Sequence, residues 1–393
     1  MIGVDAAVAR IVAAFAPVES GSVAIGAAQG RVLAADAIAV LAQPPFRTSA
    51  MDGYALRADD APPLRVIGTS AAGHPFSGRL GPGETIRIFT GAVVPDGADT
   101  ILIQEDARIE GGNLSFDTPM RKDRHIRAAG LDFKHGEVLA KAGRRLTPRD
   151  LALLAAGDIA ALEVRRRPVI AFAATGDELS RPGEPRKPGG ITASSVYGLS
   201  ALIAKWGGEP RDLGILPDRI EAMASLALVK ADLIVTLGGA SVGDADLVQS
   251  LPGFHLDFWK VAMRPGKPLI FGKLNATPLL GLPGNPVSSL ICALLFLKPA
   301  IAALLGTPHE TRLVQARLAG ALAANDARQD YLRATLRMEK GECWAEPFAV
   351  QDSSVLSILA RADGLIWRRP GDIARNPGDA CWPGPVWGQG QPQ

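Results

Sequence analysis

The sequence predicts a multi-domain α/β plus β protein, on three observations. At 393 residues the chain exceeds what one ordinary core serves, so two to four domains are expected. Apolar runs at 168–174, 233–237 and 278–282 alternate with helical patterns, as in a parallel sheet buried on both faces. On either side of that segment, short β-like runs punctuated by Gly and Pro mark separate β-rich domains.

Taken in order, residues 4–15 space Ala, Val, Ile and Phe as on a helix, and 37–41 is a short extended stretch. With 133–164 they read as a linking domain over 1–43 and 133–164. Thr147-Pro148-Arg149-Asp150 starts a helix there, threonine as cap and proline at the first position. The run Arg165-Arg166-Arg167 that follows reads as a solvated strand edge or linker. Residues 44–132 form a β-rich inserted domain, entered through two prolines and a polar loop and continued by strands at 54–56, 64–68, 84–89 and 100–105. The α/β domain spans 165–306, with helices at 194–206, 218–230 and 287–305. The remainder, 307–393, is a C-terminal β-rich domain with strands at 314–318, 331–338 and 343–347 and helical spacing around 355–362.

Composition excludes several classes. A hydrophobic fraction of 47% with 21% charged residues is that of a soluble globular protein, and a net charge of +2 argues against nucleic acid as partner. Cys292, Cys343 and Cys381 are odd in number and far apart, which fits a reducing compartment and gives no zinc site. Scattered histidines indicate neither a histidine metal cage nor a Ser-His-Asp triad. The N-terminus lacks a basic leader segment, and 290–305 reads as too short to span a bilayer and interrupted by Lys298 and Pro299. The expectation is a cytoplasmic protein with no membrane partner.

Chemistry concentrates where the three apolar runs end. The first closes in Thr175-Gly176-Asp177-Glu178, the second in Gly238-Gly239 followed by Ser241, Gly243, Asp244 and Asp246, the third in Pro283-Gly284-Asn285. Glycine lets a ligand approach the backbone, exposed amides cradle anions, and carboxylates spaced as Asp244 and Asp246 suit a hard cation beside phosphate oxygens. Alone, the Gly238-Gly239 loop reads better as an ordinary strand-to-helix turn with a capping aspartate. Three such loops at the carboxyl ends of strands in one α/β sheet point to one pocket.

The motifs PPFRTSAMDGYA, TGAVVPDGADT, TGDEL with PGEP, LGGASVGDAD, RPGKPLIFGKL and GLPGNPVSS stand in this order over nearly the whole chain. Together they resemble the molybdopterin molybdenumtransferase family, which finishes molybdenum cofactor assembly. The resemblance implies a three-layer α/β molybdopterin-binding domain, a C-terminal β-barrel-like domain and a homodimer in which the insert of one subunit meets the α/β domain of the other. It also implies a metal-dependent transferase that inserts molybdate into adenylylated molybdopterin with Mg2+ or another divalent metal and releases AMP. Molybdopterin adenylyltransferase and a recipient molybdoenzyme are the implied protein partners.

Carried over by motif, the catalytic candidates are Asp52, Thr90, Glu178, Asp246, Lys260 and Lys267. Arg127, Asp132, Asp218, Arg264, Arg333 and Ser353 join the loop residues as candidates for binding the pterin nucleotide, and Glu178, Asp244 and Asp246 as metal ligands. Glu178 is read as ending a buried strand, where a carboxylate is costly without a cation or proton. Lys260, Arg264 and Lys267 bracket a Pro-Gly turn suited to phosphates or molybdate. Asp218 reads equally as a helix cap, Arg127 as a surface ion pair, and Arg333 and Ser353 as surface or strand-pairing residues. Leu237 stands where the family has serine, Thr192-Ala193-Ser194-Ser195 where it has asparagine or aspartate, Arg264 where it has lysine, and Leu131 where it has an acid. These departures leave open a non-catalytic molybdopterin carrier on the same scaffold, while an adenylyltransferase reading fits the insert and tail less well.

Overall fold

The structure, a computed structural model, describes residues 1–239, 247–309 and 313–385. The chain divides into two compact units, one of Met1–Gly21, Gly30–Ala34 and Arg165–Gln393, the other of Ser22–Gln29 and Ala35–Val164.

The first unit is built on a six-stranded sheet in the order Glu209–Leu216, Val169–Thr175, Leu233–Leu237, Thr277–Leu282, Ile270–Leu274, Phe254–Trp259. The first four strands run parallel, and the last two pair antiparallel. Leu233–Leu237 is buried at every position because both faces are covered. Ile170, Phe172 and Val235 pack on one face against Ser195–Trp206, Val4–Ala13 and the long helix that follows Asn285. Ala173 and Ile234 turn to the other face and meet Met223, Leu226, Val248 and Leu251. That alternation makes the three layers, as expected.

Two helices differ from the sequence reading. The segment expected at 218–230 is only Ile220–Ala224, continued as a 3-10 turn over Ser225–Leu228, and the Ser225 hydroxyl donates to the Ala222 carbonyl at 2.6 Å in competition with the helix. The apolar helix runs Pro286–Leu305 without interruption, because a π-helical turn at Ala293–Leu297 precedes Lys298 and Pro299, and the proline falls in the first turn of the next α-segment. At 20 residues and a mean hydropathy of 2.1 it is long enough to cross a membrane, correcting the length argument above, but 78% of that stretch is buried inside the protein. It is a core helix.

The basic run is structural, as read. Arg166 makes paired 2.7 Å bonds to Asp232, which also accepts from the Val169 amide, and so ties the entry of one central strand to its neighbour. The C-terminal part of this unit forms a further sheet in the order Ala380–Cys381, Ala316–Leu318, Glu342–Pro347, Gln329–Glu339, Gly364–Arg368, Pro383–Pro385. Met263–Arg264 joins that sheet in parallel beside Gln329 and Asp330, so backbone pairing fixes the basic turn against the β-rich part.

The second unit carries a six-stranded sheet in the order Thr100–Ile103, Gly53–Leu56, Glu84–Ile88, Leu64–Ser70, Asn113–Ser115, Arg108–Glu110. Gly53 is required at its place, because a Cβ there would stand 1.9 Å from the Leu102 carbonyl oxygen. The helix Pro148–Ala156 starts as predicted and adds a reciprocal cap: the Thr147 side chain accepts from the Asp150 amide, and Asp150 accepts from the Thr147 amide. Thr147→Ala is expected to cost about 1 kcal/mol, read from the urea midpoint.

Candidate functional site

The three glycine loops end adjacent strands and converge. The Gly238 amide donates to the Leu282 carbonyl at 3.0 Å, and a Cβ on Gly284 would lie 3.7 Å from the Gly238 Cα. Gly238 and Gly239 have φ of +98° and +69°, and a Cβ on Gly238 would stand 2.8 Å from the Thr175 carbonyl oxygen. The cradle sits where Val169–Thr175 has Glu209–Leu216 on one side and Leu233–Leu237 on the other, the switch point at which open α/β sheets take ligands. The buried hydroxyls of Thr175 and Thr236 have no hydrogen-bond partner among the described residues. Gly238→Ala is expected to destabilise by about 1–3 kcal/mol through its left-handed backbone and the clash with Thr175, measured by urea unfolding.

Carboxylates gather beside this cradle. Asp177 and Glu178 follow Gly176, and Asp218 follows the end of Glu209–Leu216. Asp218 is exposed as a residue, yet protein atoms crowd its carboxyl. That desolvation, followed by the charges of Glu178 and Asp177, pushes its pKa above the usual carboxylate value. Two expectations are corrected here. Glu178 is exposed, since its strand closes at Thr175 and the carboxyl folds back to within 2.6 Å of where a Gly176 Cβ would be. Asp218 is not the cap, because Arg219 holds that position, without a side-chain bond.

Among the described residues no group of three or more His, Cys, Asp or Glu side chains is placed to hold a metal. The hard oxygens of Asp177, Glu178 and Asp218 fit the charge of a divalent cation without completing a shell. Ser241, Gly243, Asp244 and Asp246 lie outside the described residues.

The basic turn divides its cations. Arg264 makes a bidentate pair with buried Asp330, at 2.9 and 2.6 Å, so its fork is occupied. The Lys260 ammonium stands 3.5 Å from the centroid of the Trp259 ring. Neither Lys260 nor Lys267 forms an ion pair among the described residues.

Arg333 departs from one expectation and meets another. It pairs with Leu365 across the sheet, as a strand-pairing role requires, but it is no surface residue: it is 0% exposed, and Nε, Nη1 and Nη2 have no hydrogen-bond partner among the described residues. Its place is fixed through the backbone: Gln351 accepts from the Arg333 amide and donates to its carbonyl, both at 3.0 Å. Two residues on, the Ser353 hydroxyl accepts from the Asn285 side-chain Nδ2 at 3.0 Å, and the Ser353 carbonyl accepts from the Val287 backbone amide. The Gln351–Ser353 segment thereby ties the Arg333 strand to the third glycine loop. Burial lowers the Arg333 pKa, partly offset by Asp352. A desolvated guanidinium without a hydrogen-bond partner is a group whose burial an anion would offset. Gln351 and Asp330 escaped the sequence reading, and no local pattern marks either.

In the second unit Asp52 Oδ1 accepts from both the amide and the hydroxyl of Thr90, each at 2.7 Å, which holds the Asp52 pKa below the usual carboxylate range. These two candidates meet. Arg127 is exposed, opposite Thr48, without an ion pair among the described residues, and Asp132 is exposed with its amide bonded to the Gln43 carbonyl.

Comparison with known proteins covers most of the chain. Residues 2–157 match the family described as MoeA N-terminal region (domain I and II), 171–303 the probable molybdopterin binding domain, and 315–381 the MoeA C-terminal region (domain IV). The molybdopterin molybdenumtransferase of Haemophilus influenzae is 35% identical over 354 residues, 86% of this chain and 87% of that one. The Bacillus subtilis protein of the same name is 34% identical over 385 residues, 93% and 89% of the two chains. A solved structure described as the molybdopterin biosynthesis MoeA protein of Pyrococcus horikoshii superposes with a TM-score of 0.86 at 29% identity, covering 99% of this chain and 100% of that one.

Proposed function

Starting from the fact that the chain belongs to the molybdopterin molybdenumtransferase family, enzymes of molybdenum cofactor biosynthesis that transfer molybdenum, we propose that it inserts molybdate into adenylylated molybdopterin and releases AMP. The observation that carries this reading is the buried guanidinium of Arg333, without a hydrogen-bond partner among the described residues, on a strand bonded to Gln351, two residues before the Ser353 that bonds Asn285 of the third glycine loop. Arg333, Lys260 and Lys267 receive molybdate or phosphate oxygens. Thr175, Gly176, Gly238, Gly239, Pro283, Gly284 and Asn285 hold the pterin nucleotide, with Asp177, Asp218 and Arg264 at its edge. Glu178, with Asp244 and Asp246, would hold Mg2+, which neutralises phosphate charge when bound. Asp52, ionised at neutral pH, offers its second oxygen as an acceptor.

A homodimer is part of the proposal, with Asp52, Thr90, Arg127 and Asp132 of one copy completing the site of the other. It is supported by the exposed apolar Ile38, Val40, Leu41 and Leu131 in the second unit, which a partner copy would cover. The four-domain division and a cytoplasmic location are retained as part of the same reading. The test is an assay of the purified protein with adenylylated molybdopterin, Mg2+ and near-physiological molybdate. Molybdate-dependent AMP release is expected; tight pterin binding with no AMP release would overturn the transferase in favour of a carrier.

A further inference from the structure

Among the described residues the Lys260 ammonium is held by a ring and not by a carboxylate. Phe254–Trp259 ends at Trp259, which pairs with Ile270 and packs against a buried apolar cluster. Lys260 then takes a φ of +65°, a conformation that side-chain-bearing residues rarely adopt. It is pinned there on both sides, its amide donating to the Leu269 carbonyl at 3.0 Å and its carbonyl accepting from Ile2 at 3.1 Å. This left-handed step accompanies a side chain that lies back over the preceding indole, 3.5 Å from its centroid.

We propose that Trp259 is a positioning residue for the oxyanion site, whose indole face fixes the Lys260 ammonium without neutralising it. The inference rests on the reading of Lys260 as an anion ligand. A carboxylate would also fix a lysine, but it would cancel the charge and compete with the substrate, as Asp330 does for Arg264. An aromatic face attracts the ammonium through its quadrupole and carries no net charge, so the cation stays available. Packing alone does not account for tryptophan here, because its Nε1 is buried without a partner among the described residues, a cost that phenylalanine would avoid. Among aromatic side chains the indole gives the strongest cation–π attraction, which is what the position keeps.

The test uses the full-length protein and its Trp259→Phe, Trp259→Leu and Lys260→Met variants, with molybdate affinity measured by titration calorimetry beside the melting temperature. Lys260→Met is expected to weaken molybdate binding. Trp259→Leu should weaken it about five- to tenfold and Trp259→Phe about two- to threefold, the latter melting at or above the parent temperature because the orphaned N–H is gone. If Lys260→Met weakens binding while both Trp259 variants bind as the parent does, the ring has no positioning role. Affinity losses that merely track falling melting temperatures would reduce Trp259 to packing and overturn the proposal too. Unchanged binding by Lys260→Met is a different failure, which removes Lys260 from the anion site of the proposed function and this inference with it.

Discussion

Arg333→Met is expected to lose about 100-fold or more of molybdate-dependent AMP release while leaving the protein more stable than the parent. The two effects share one cause. The guanidinium is fully buried and has no hydrogen-bond partner among the described residues, so its desolvation, partly offset by the charge of Asp352, is made good only when an anion arrives. Replacing it with an apolar side chain of similar length removes that cost, about 1–3 kcal/mol. Arginine stays protonated at neutral pH, so this gain should not vary across the working pH range. Removing one member of a buried charge pair costs about 2–5 kcal/mol of binding, which sets the size of the activity loss. Urea unfolding with and without molybdate checks both arms. At about 100 times its dissociation constant molybdate should raise parent stability by about 2.7 kcal/mol and leave the variant unmoved. A variant that is less stable and still responds to molybdate would make Arg333 an ordinary core residue.

The carboxyl-end cradle was legible because its signals are local. Gly176, Gly238 and Gly284 each follow an apolar run, and the sheet order then makes Val169–Thr175, Leu233–Leu237 and Thr277–Leu282 immediate neighbours. The strands Glu209–Leu216 and Phe254–Trp259 were not legible, because they are the two edges of that sheet and keep exposed polar residues. Ile270–Leu274 was hidden by Gly272, where a Cβ would stand 2.4 Å from the His255 carbonyl oxygen across the antiparallel pair. Burial of charge was the harder matter. For Arg333 a surface role stood open beside strand pairing and binding, and Glu178 looked buried; the structure buries the first in a paired strand and exposes the second. Whether a charged side chain is covered depends on long-range packing, here a strand paired with Leu365 and bonded to Gln351, which no nearby residue pattern encodes. For the same reason the Asp52–Thr90 bond, 38 positions apart in the chain, follows from strand pairing and not from either motif alone.

Glu178→Gln is expected to lower molybdate-dependent AMP release by about 100-fold, the scale for removing one acid–base or metal-holding carboxylate. The loss should come with a stability signature that a misfolded variant would not give. Asp218 has its pKa raised by crowding and by the charges of Glu178 and Asp177. A carboxyl raised in this way contributes stability that is full below its unfolded pKa and is lost as pH rises through the folded value. At neutral pH the three carboxylates therefore repel, and a divalent cation is what would relieve them. Taking away the Glu178 charge should bring the Asp218 pKa back towards its ordinary value, flatten the fall in stability from acid to neutral pH, and shrink the stabilisation given by Mg2+. Urea unfolding at pH 4 and pH 7, with and without Mg2+, reads all three. If Glu178→Gln releases AMP at the parent rate and responds to Mg2+ as the parent does, the reacting carboxylates must be sought elsewhere. Loss of AMP release with an unchanged Mg2+ response would instead assign Glu178 to proton transfer and leave the cation to other ligands.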